Sequence, residues 1–480
     1  MTDINKAIKP VESLTITPLN EGSQLKANNY IQLKIGASDL NMWLVNNSYL
    51  KFDLKYTRAA YATTGITTDA AVSKSYIRNA NNIFRSVEVL YGGDTIYSQP
   101  YNIEQNVIKQ LYYGESYMEA NYATFTTVKM IKEGIAYLEL DNGSVGTVTI
   151  DGASVKGVEE LDEANAKTIK DIMIPINQLI PIFSDCTSDG FPVKNLKSQI
   201  EIRLYIAEPY RYIVDYNPND PCDFSDKIYV GADAVTMGTK NGIKARFGSD
   251  RIELQNVKMY CSHYIANQSE SAVIDDKINN SGMKFRYQMV HSSLRQMNRI
   301  NEGNNNLPFT NSTENVKSIM LYCHKQDLSP SLMYRPYING LYIKFGSNQL
   351  PFQPIAGDSM TTPHEFKFTS DDVLNNIDTY FSETNDDFNR CYRYVDGPKS
   401  DATSHEREAI AVPESTFVMM GANYVNNPGD LGSNSSRWNS QYQASFMGNI
   451  RDDTKLTYVL AIITDYGLIL KDGDMKTINL

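Results

Sequence analysis

Hydrophobic residues occur at every second position in short segments along the whole chain. This period of two is typical of strands that bury one face and expose the other. Gly, Asn, Asp or Pro follows these segments, whereas a parallel βαβ protein would place about a dozen residues with helical spacing there. The pattern therefore predicts an antiparallel all-β protein. The clearest strands are Ile31–Ile35, Leu50–Tyr56, Ile200–Ile206 and Met283–Met289.

Two segments have helical spacing instead. Glu104–Tyr113 contains Val107, Ile108 and Leu111 on one helical face, and Asp371–Phe381 has a similar pattern. We predict that both are short helices within connections between strands.

The chain also contains an internal echo. Val89–Pro100 and Ile343–Pro354 align without gaps, and they share an aromatic residue before Gly, an Asx turn former, an aliphatic residue and Gln-Pro. Each segment predicts a strand, a tight turn and a returning strand that ends at Pro. Each also precedes one of the two predicted helices. The repeat therefore indicates that the chain is a duplication of one β domain.

The length of 480 residues also favours two domains, because a single core seldom grows beyond about 250 residues. The polar segment Asp215–Pro221 contains two prolines and lies near the middle of the chain, where it predicts a linker that ends before Arg251. The predicted division is an N-terminal domain at 1–210, a linker at 211–250 and a C-terminal domain at 251–480.

Three stretches have a pattern that is more specific than simple alternation. They are Asn29–Ile35 with Asn47–Leu54, Ile172–Leu204 and Arg251–Tyr260. They resemble the double-jelly-roll major capsid proteins, the family of adenovirus hexon and of the capsid proteins of Polinton-like viruses, virophages and tailless icosahedral bacteriophages. The first looks like the family's opening strands, the second is similar to the close of a first jelly roll, and the third looks like the strand that opens the second roll.

This resemblance implies two tandem eight-stranded antiparallel jelly rolls with a few short helices in loops. It also implies a homotrimer that forms a pseudo-hexameric capsomer and tiles an icosahedral virion shell after assembly in the host cell. The implied partners are further copies of the chain, penton and minor capsid proteins, and an internal membrane. We expect the loops Asn304–Asn315 and Tyr424–Trp438 at the outer end of the rolls.

Composition and charge support a β protein that does not bind nucleic acid. Tyr occurs 32 times and suits half-buried strands. The net charge is −11, and no cluster of Lys and Arg provides a surface for a phosphate backbone. The N-terminal residues lack an apolar signal core, and Asp465 interrupts the apolar segment Tyr458–Leu470, so neither secretion nor a membrane span is predicted. That segment and the turn Asp472–Asp474 predict a closing strand pair.

No pattern of catalytic, cofactor-binding or metal-binding residues emerges, and we predict none of these sites. Neither nucleotide-binding glycine motif occurs. The pairs Cys261 with His263 and Cys323 with His324 lack the spacing of zinc ligands, and we interpret them as residues on the faces of strands. Asp371–Asp372 is interpreted as the negatively charged first turn of a helix. The other adjacent acids are interpreted as solvated loop charges; they are Asp275–Asp276, Asp386–Asp387 and Asp452–Asp453. The five cysteines are too scattered for a disulfide framework.

Three other functions remain open from the sequence alone. A carbohydrate-binding β-sandwich would need aromatic residues that converge on one face. A minor capsid or penton-type protein would carry one jelly roll, which the internal echo disfavours. A β-sandwich glycosidase would need two carboxylates that face one cleft.

Overall fold

A computed structural model describes residues 11–21, 25–58, 61–62, 74–77, 80–113, 129–130, 136–141, 145–150, 153–158, 166–183, 190–216, 251–310, 316–326, 330, 338–345, 348–356, 394–398, 407–411, 441–448 and 455–479. The α-helices of this part are α1 (Asn102–Tyr113), α2 (Ile176–Leu179) and α3 (Gln268–Asn280). Its 3-10 segments are Ala80–Ile83, Pro181–Phe183, Val193–Asn195 and Pro209–Arg211.

The strands of the N-terminal half are β1 (Val11–Ile16), β2 (Leu25–Lys26), β3 (Tyr30–Ile35), β4 (Met42–Thr57), β5 (Tyr61–Ala62), β6 (Lys74–Ile77), β7 (Phe84–Tyr91), β8 (Asp94–Gln99), β9 (Lys129–Met130), β10 (Ala136–Asp141), β11 (Val145–Ile150), β12 (Ala153–Val158), β13 (Lys167–Pro175), β14 (Phe191–Pro192), β15 (Ile200–Ile206) and β16 (Ile213–Tyr216). Those of the C-terminal half are β17 (Arg251–Tyr264), β18 (Met283–Met297), β19 (Gly303–Thr310), β20 (Val316–Lys325), β21 (Ile338–Phe345), β22 (Asn348–Ala356), β23 (Tyr394–Pro398), β24 (Arg407–Ala411), β25 (Gln441–Gly448), β26 (Leu456–Lys471) and β27 (Asp474–Asn479).

Eight long strands form the N-terminal jelly roll. One sheet has the order β1-β17-β4-β13, and the other has the order β3-β15-β7-β8. We number these eight strands one to eight along the chain. The first sheet then has the order 1-8-3-6 and the second has the order 2-7-4-5, which is the connectivity of a jelly roll. The two sheets pack through alternate side chains, and the rings of Phe52 and Phe84 meet across the core at a centroid distance of 6.2 Å.

The C-terminal jelly roll repeats this arrangement. Its sheets have the orders β18-β26-β20 and β19-β25-β21-β22. These strands take the places of the first, eighth and third strands and of the second, seventh, fourth and fifth strands of the N-terminal roll; the described residues contain no strand in the place of the sixth. Between β22 and β25 the described residues contain only the β23–β24 pair. The echoed hairpins β7–β8 and β21–β22 are the fourth and fifth strands of their rolls. The prediction of two tandem antiparallel jelly rolls is thus confirmed.

The prediction that Arg251 opens the second roll is wrong. Arg251–Tyr264 is the eighth strand of the first roll, because it pairs with β4 on one side and β1 on the other. Residues 211–250 therefore connect the seventh and eighth strands of one roll, and residues 265–282, which include α3, connect the two rolls. The alternation of apolar residues identified the strand but contains no information about its pairing partner, and a proline-rich connection occurs within a roll as readily as between rolls.

The loop predicted at Asn304–Asn315 is also partly wrong, because Asn304–Thr310 belongs to strand β19. Tertiary pairing with β25 overrides the turn preference of asparagine. The side chain of Asn305 accepts from the Asn301 backbone N–H at 2.9 Å and donates to the Asn301 carbonyl at 2.8 Å. Asn306 accepts from the Ser445 hydroxyl at 2.7 Å. The amide groups of this run thus satisfy local polar partners within the sheet.

Other expectations have mixed outcomes. The helix α1 begins at Asn102 and includes the predicted Glu104–Tyr113. The closing strand pair is confirmed, since β26 and β27 pair on either side of a turn in which Asp472 and Gly473 have positive φ angles. The predicted helix Asp371–Phe381 and the predicted loop Tyr424–Trp438 lie outside the described residues.

Candidate functional site

Within the described residues, the two rolls pack against each other outside their sandwich cores, at a place that we call the roll junction. It is centred on β18 and on the neighbouring part of β26. Residues Leu456–Thr464 of β26 are all buried, so both faces of this strand are covered. A single hydrophobic cluster extends from the N-terminal roll to Phe285, Tyr287, Leu468 and Met475 of the C-terminal roll. The N-terminal core therefore continues onto the side of the C-terminal roll that faces the junction.

A row of aromatic rings crosses the junction. Trp43 in the N-terminal core contacts Phe183 with a centroid distance of 5.3 Å, and Phe183 contacts Phe191 at 5.1 Å. Phe191 then contacts Phe285 of β18 at 5.3 Å. These distances lie within the range for favourable aromatic pairs. The row links the core of one roll directly to the first strand of the other.

A second aromatic group lies further along β18. Tyr97 of β8 contacts Tyr287 at 6.4 Å, and Tyr287 contacts Tyr466 at 5.9 Å. His291 packs against the same Tyr466 ring at 5.6 Å. Burial raises the pKa of the Tyr287 hydroxyl above its usual range and so keeps this group neutral.

The helix α1 reaches from the N-terminal roll to β18 and β26. Its start is held in place by Asn102, whose amide donates to the carbonyls of Asn81 at 2.8 Å and Phe84 at 2.7 Å. From this fixed end, the buried Gln105 donates through Nε2 to the Val290 carbonyl at 2.6 Å. A polar side chain of one roll thus satisfies a backbone group of the other.

The turn between β26 and β27 docks against the N-terminal roll. The Tyr91 hydroxyl donates to the Gly473 carbonyl, and the Lys197 N–H donates to the same carbonyl at 3.1 Å. Tyr91 also accepts from the Ser198 N–H at 3.1 Å. Gly473 has a φ of +77°, and a Cβ atom at this position would lie 2.8 Å from the Asn195 carbonyl oxygen. Only glycine fits this backbone conformation and this close approach.

The connecting helix α3 is tied to the N-terminal roll as well. The Asn267 side chain caps its start by accepting from the Glu270 N–H at 2.9 Å. Lys194 donates to Ser271 and forms an ion pair with Asp275 at 3.7 Å. The connection between the rolls is therefore an anchored helix and contributes to the junction.

His291 predicts a pH dependence of stability. Burial lowers its pKa from 6.5 to about 4, and its Nε2 lies 3.1 Å from the Thr464 hydroxyl. The pKa of His291 is lower in the folded protein than in the unfolded chain. The contribution of His291 to the free energy of unfolding is therefore complete above pH 6.5 and is lost as the pH falls towards 4. The full pKa shift corresponds to about 3 kcal/mol of free energy of unfolding. We expect a loss of about 2 kcal/mol between pH 6.5 and pH 4, because the ring is only partly buried.

The measurement compares urea unfolding of wild type and His291→Gln at several values between pH 8 and pH 4. The variant keeps a neutral polar group near Thr464 and cannot gain the proton, so its stability should fall less than that of wild type between pH 6.5 and 4. Equal losses in both proteins would contradict the assignment.

The residues with candidate chemistry lie at separate places. Cys261 and Cys323 are buried, and burial raises the pKa of Cys261 to about 12. His263 lies 3.5 Å from the Glu12 carboxylate. The interpretation of Asp275–Asp276 as loop charges is wrong, because both residues lie in α3 and Asp275 forms an ion pair with Lys194 at the roll junction. Within the described ranges, no group of three or more His, Cys, Asp or Glu residues is placed to hold a metal ion. None of the helices in this part of the chain has the length and apolar character needed to cross a bilayer.

The sequence did not identify any residue of the roll junction as a contact between domains. Phe285 was visible only as one apolar position of an alternating strand, and Gly473 as part of a turn. Gln105 lies on the polar side of an amphipathic pattern, where solvent exposure is the ordinary expectation. No local signal distinguishes a residue that contacts a second domain from one that faces water.

Several solved structures are similar to this chain over nearly its whole length. A chain of the Sputnik virophage has a TM-score of 0.54 and 10% identity, with 98% of this chain and 88% of that chain covered. The mavirus major capsid protein has a TM-score of 0.53 and 11% identity, with 97% and 90% covered. The Faustovirus major capsid protein has a TM-score of 0.50 and 9% identity, with 98% and 93% covered.

No protein-family model matches the sequence, and no curated protein matches it. At such low identities the structural similarity concerns the fold. The strand orders of both rolls agree with this similarity independently. The chain therefore has the double-jelly-roll fold found in the major capsid proteins of mavirus and Faustovirus.

Proposed function

We propose that this protein is a structural major capsid protein that trimerises into pseudo-hexameric capsomers and tiles the icosahedral shell of a virion. The observation that carries the proposal is the roll junction. The core of the first jelly roll continues onto the junction side of the second, and hydrogen bonds and an anchored helix join the two rolls into one block. A block with two similar units suits a shell in which contacts between neighbours repeat.

The similar folds of the mavirus and Faustovirus major capsid proteins support this function. We propose that the chain acts in the virion without catalysis or a cofactor, and that its first partners are further copies of itself. Penton and minor capsid proteins are proposed as later partners, and an internal membrane as a further one. The net charge of −11 disfavours direct contact with nucleic acid phosphates.

The carbohydrate-binding alternative receives less support. Two aromatic pairs lie on the outer sides of the N-terminal sheets, Tyr49 with Tyr260 at 5.1 Å and Tyr30 with Tyr205 at 5.5 Å. These pairs belong to different sheets, and a sugar-binding platform needs aromatic residues that converge on one face.

The mass of the purified protein in solution tests the proposal. Size exclusion with light scattering should give a species of three times the 54.1 kDa chain mass, with larger shells on concentration. A protein that stays monomeric at high concentration would contradict the capsid function, and glycan binding would then be the function to test.

A further inference from the structure

The roll junction joins two different surfaces of the two rolls. The N-terminal roll contributes α1, which follows its fifth strand, and Pro181–Phe183, which follows its sixth strand. The C-terminal roll contributes its first strand, β18, which lies at the edge of its sheet and contacts both of these elements. Such a head-to-tail contact leaves one surface of each kind unused, and repetition of the contact closes a ring or extends a chain.

The unused edge of the N-terminal roll is its own first strand, β1. This strand lies at the end of its sheet, and among the described strands only β17 pairs with it. Its counterpart β18 has the Val290 carbonyl covered by Gln105. Among the described residues, no side chain of the same chain makes a similar hydrogen bond to the backbone of β1.

The two edges of this sheet differ in how they are protected. At the far edge, β13 carries Lys167 and Lys170, ends at Pro175 and contains an irregular step at Asp171, whose φ is +61°. Lysines, prolines and bulges are the devices that keep an edge strand from pairing with another chain. β1 has no lysine, proline or bulge: its sequence is VESLTI, its one charged residue is Glu12, and its six residues pair with β17 in unbroken register.

The side chains of β1 fit a contact with protein. Leu14 and Ile16 face the core, and their neighbours Ser13 and Thr15 are exposed. At the start of the strand, Val11 is 56% exposed. Val11, Ser13 and Thr15 are uncharged and lie on the face opposite to Leu14 and Ile16, while Glu12 lies 3.5 Å from His263 of β17. Such uncharged side chains beside a strand edge are compatible with pairing or close packing.

We infer that the C-terminal roll of a second copy docks on the β1 edge. The contact would resemble the one within the chain, where the N-terminal roll docks on β18, the first strand of the C-terminal roll. This inference rests on the proposed self-association and assigns a surface to it. Among the described strands β1 is an edge strand, so in the proposed trimer each β1 would be covered by the C-terminal roll of the next copy and the three chains would form a ring of six rolls.

The test uses the same substitution at the two edges of one sheet. Thr15→Lys adds a charge to exposed β1, and Thr168→Lys adds it to exposed β13. We expect Thr15→Lys to weaken trimerisation roughly 100-fold, because an ammonium group would be enclosed at the contact without a partner. Thr168→Lys should associate like wild type. Light scattering over a dilution series measures both, and circular dichroism checks that both variants fold.

Amide hydrogen exchange on the wild-type protein provides a measurement that does not depend on a variant. In the oligomer, the amides of Val11–Ile16 should exchange more slowly than in the diluted monomer, whereas those of Lys167–Pro175 should not change.

Each outcome decides between the possibilities. Trimers of both variants, with unchanged exchange in β1, would overturn the inference and leave self-association intact. Equal weakening by both variants would indicate a general charge effect and would also overturn it. A wild-type protein that is monomeric throughout would contradict both the inference and the capsid function. Slower amide exchange in β1, together with weaker trimerisation of Thr15→Lys but not of Thr168→Lys, supports the inference.

Discussion

Replacing Phe285 by alanine should lower the free energy of unfolding by about 3–5 kcal/mol, which is the usual cost of removing a buried phenylalanine. The side chain is only 6% exposed and ends the aromatic row through its contact with Phe191 at 5.3 Å. The cavity would open at the roll junction, where α1 and the β26–β27 turn hold the surrounding backbone in place and limit its collapse. Urea unfolding measures the loss.

Two further variants make the result specific. Phe191→Ala should cost a similar amount, and the double variant should cost less than the two single losses together because the rings contact each other. Val273→Ala is the control, since Val273 is 67% exposed and its truncation should change stability by less than about 0.5 kcal/mol. A loss of less than about 1 kcal/mol for Phe285→Ala would show that the rolls do not depend on this contact.

Gly473→Ala should destabilise the protein by about 3 kcal/mol. About 1 kcal/mol of this comes from placing alanine at a φ of +77°, and the rest from the contact of 2.8 Å between the new Cβ and the Asn195 carbonyl oxygen. The turn would have to move away from Tyr91 and Lys197, which both donate to the Gly473 carbonyl.

Gly93→Ala is the control for backbone strain. Gly93 has a φ of +97° in the β7–β8 turn, but no atom lies within 4 Å of a Cβ built there. Its substitution should cost only about 1 kcal/mol. Thermal unfolding of both variants separates the cost of backbone strain from the cost of the close contact with Asn195. Equal losses of stability would mean that docking of the β26–β27 turn contributes nothing to stability.

Much of the fold could be predicted from the sequence because the signals are local. The alternation in Leu50–Tyr56 or Ile200–Ile206 identifies a strand with one buried face, and Gly with Asx between two such runs identifies a hairpin. The echo of Val89–Pro100 in Ile343–Pro354 identifies a duplication, and the structure places both segments as the fourth and fifth strands of their rolls.

Pairing over long distances in the chain was decided only by the tertiary structure. Arg251–Tyr264 could be identified as a strand, but its place between β1 and β4 depends on partners about 200 or more residues away. The Asn304–Asn306 run lies in a strand because β25 pairs with it, although asparagine by itself favours turns. Which strands pair depends on how all the strands of the chain compete for partners. A short segment of sequence does not contain this information.

The sequence by itself thus determined the strand class, the duplication and the absence of a recognisable catalytic motif. The tertiary structure decided where the first roll ends and which side chains hold the two rolls together. Gln105, Gly473 and Phe285 have no local property that marks them as contact residues, because a contact between domains is a property of two surfaces. It is specified only when both surfaces are folded and brought together.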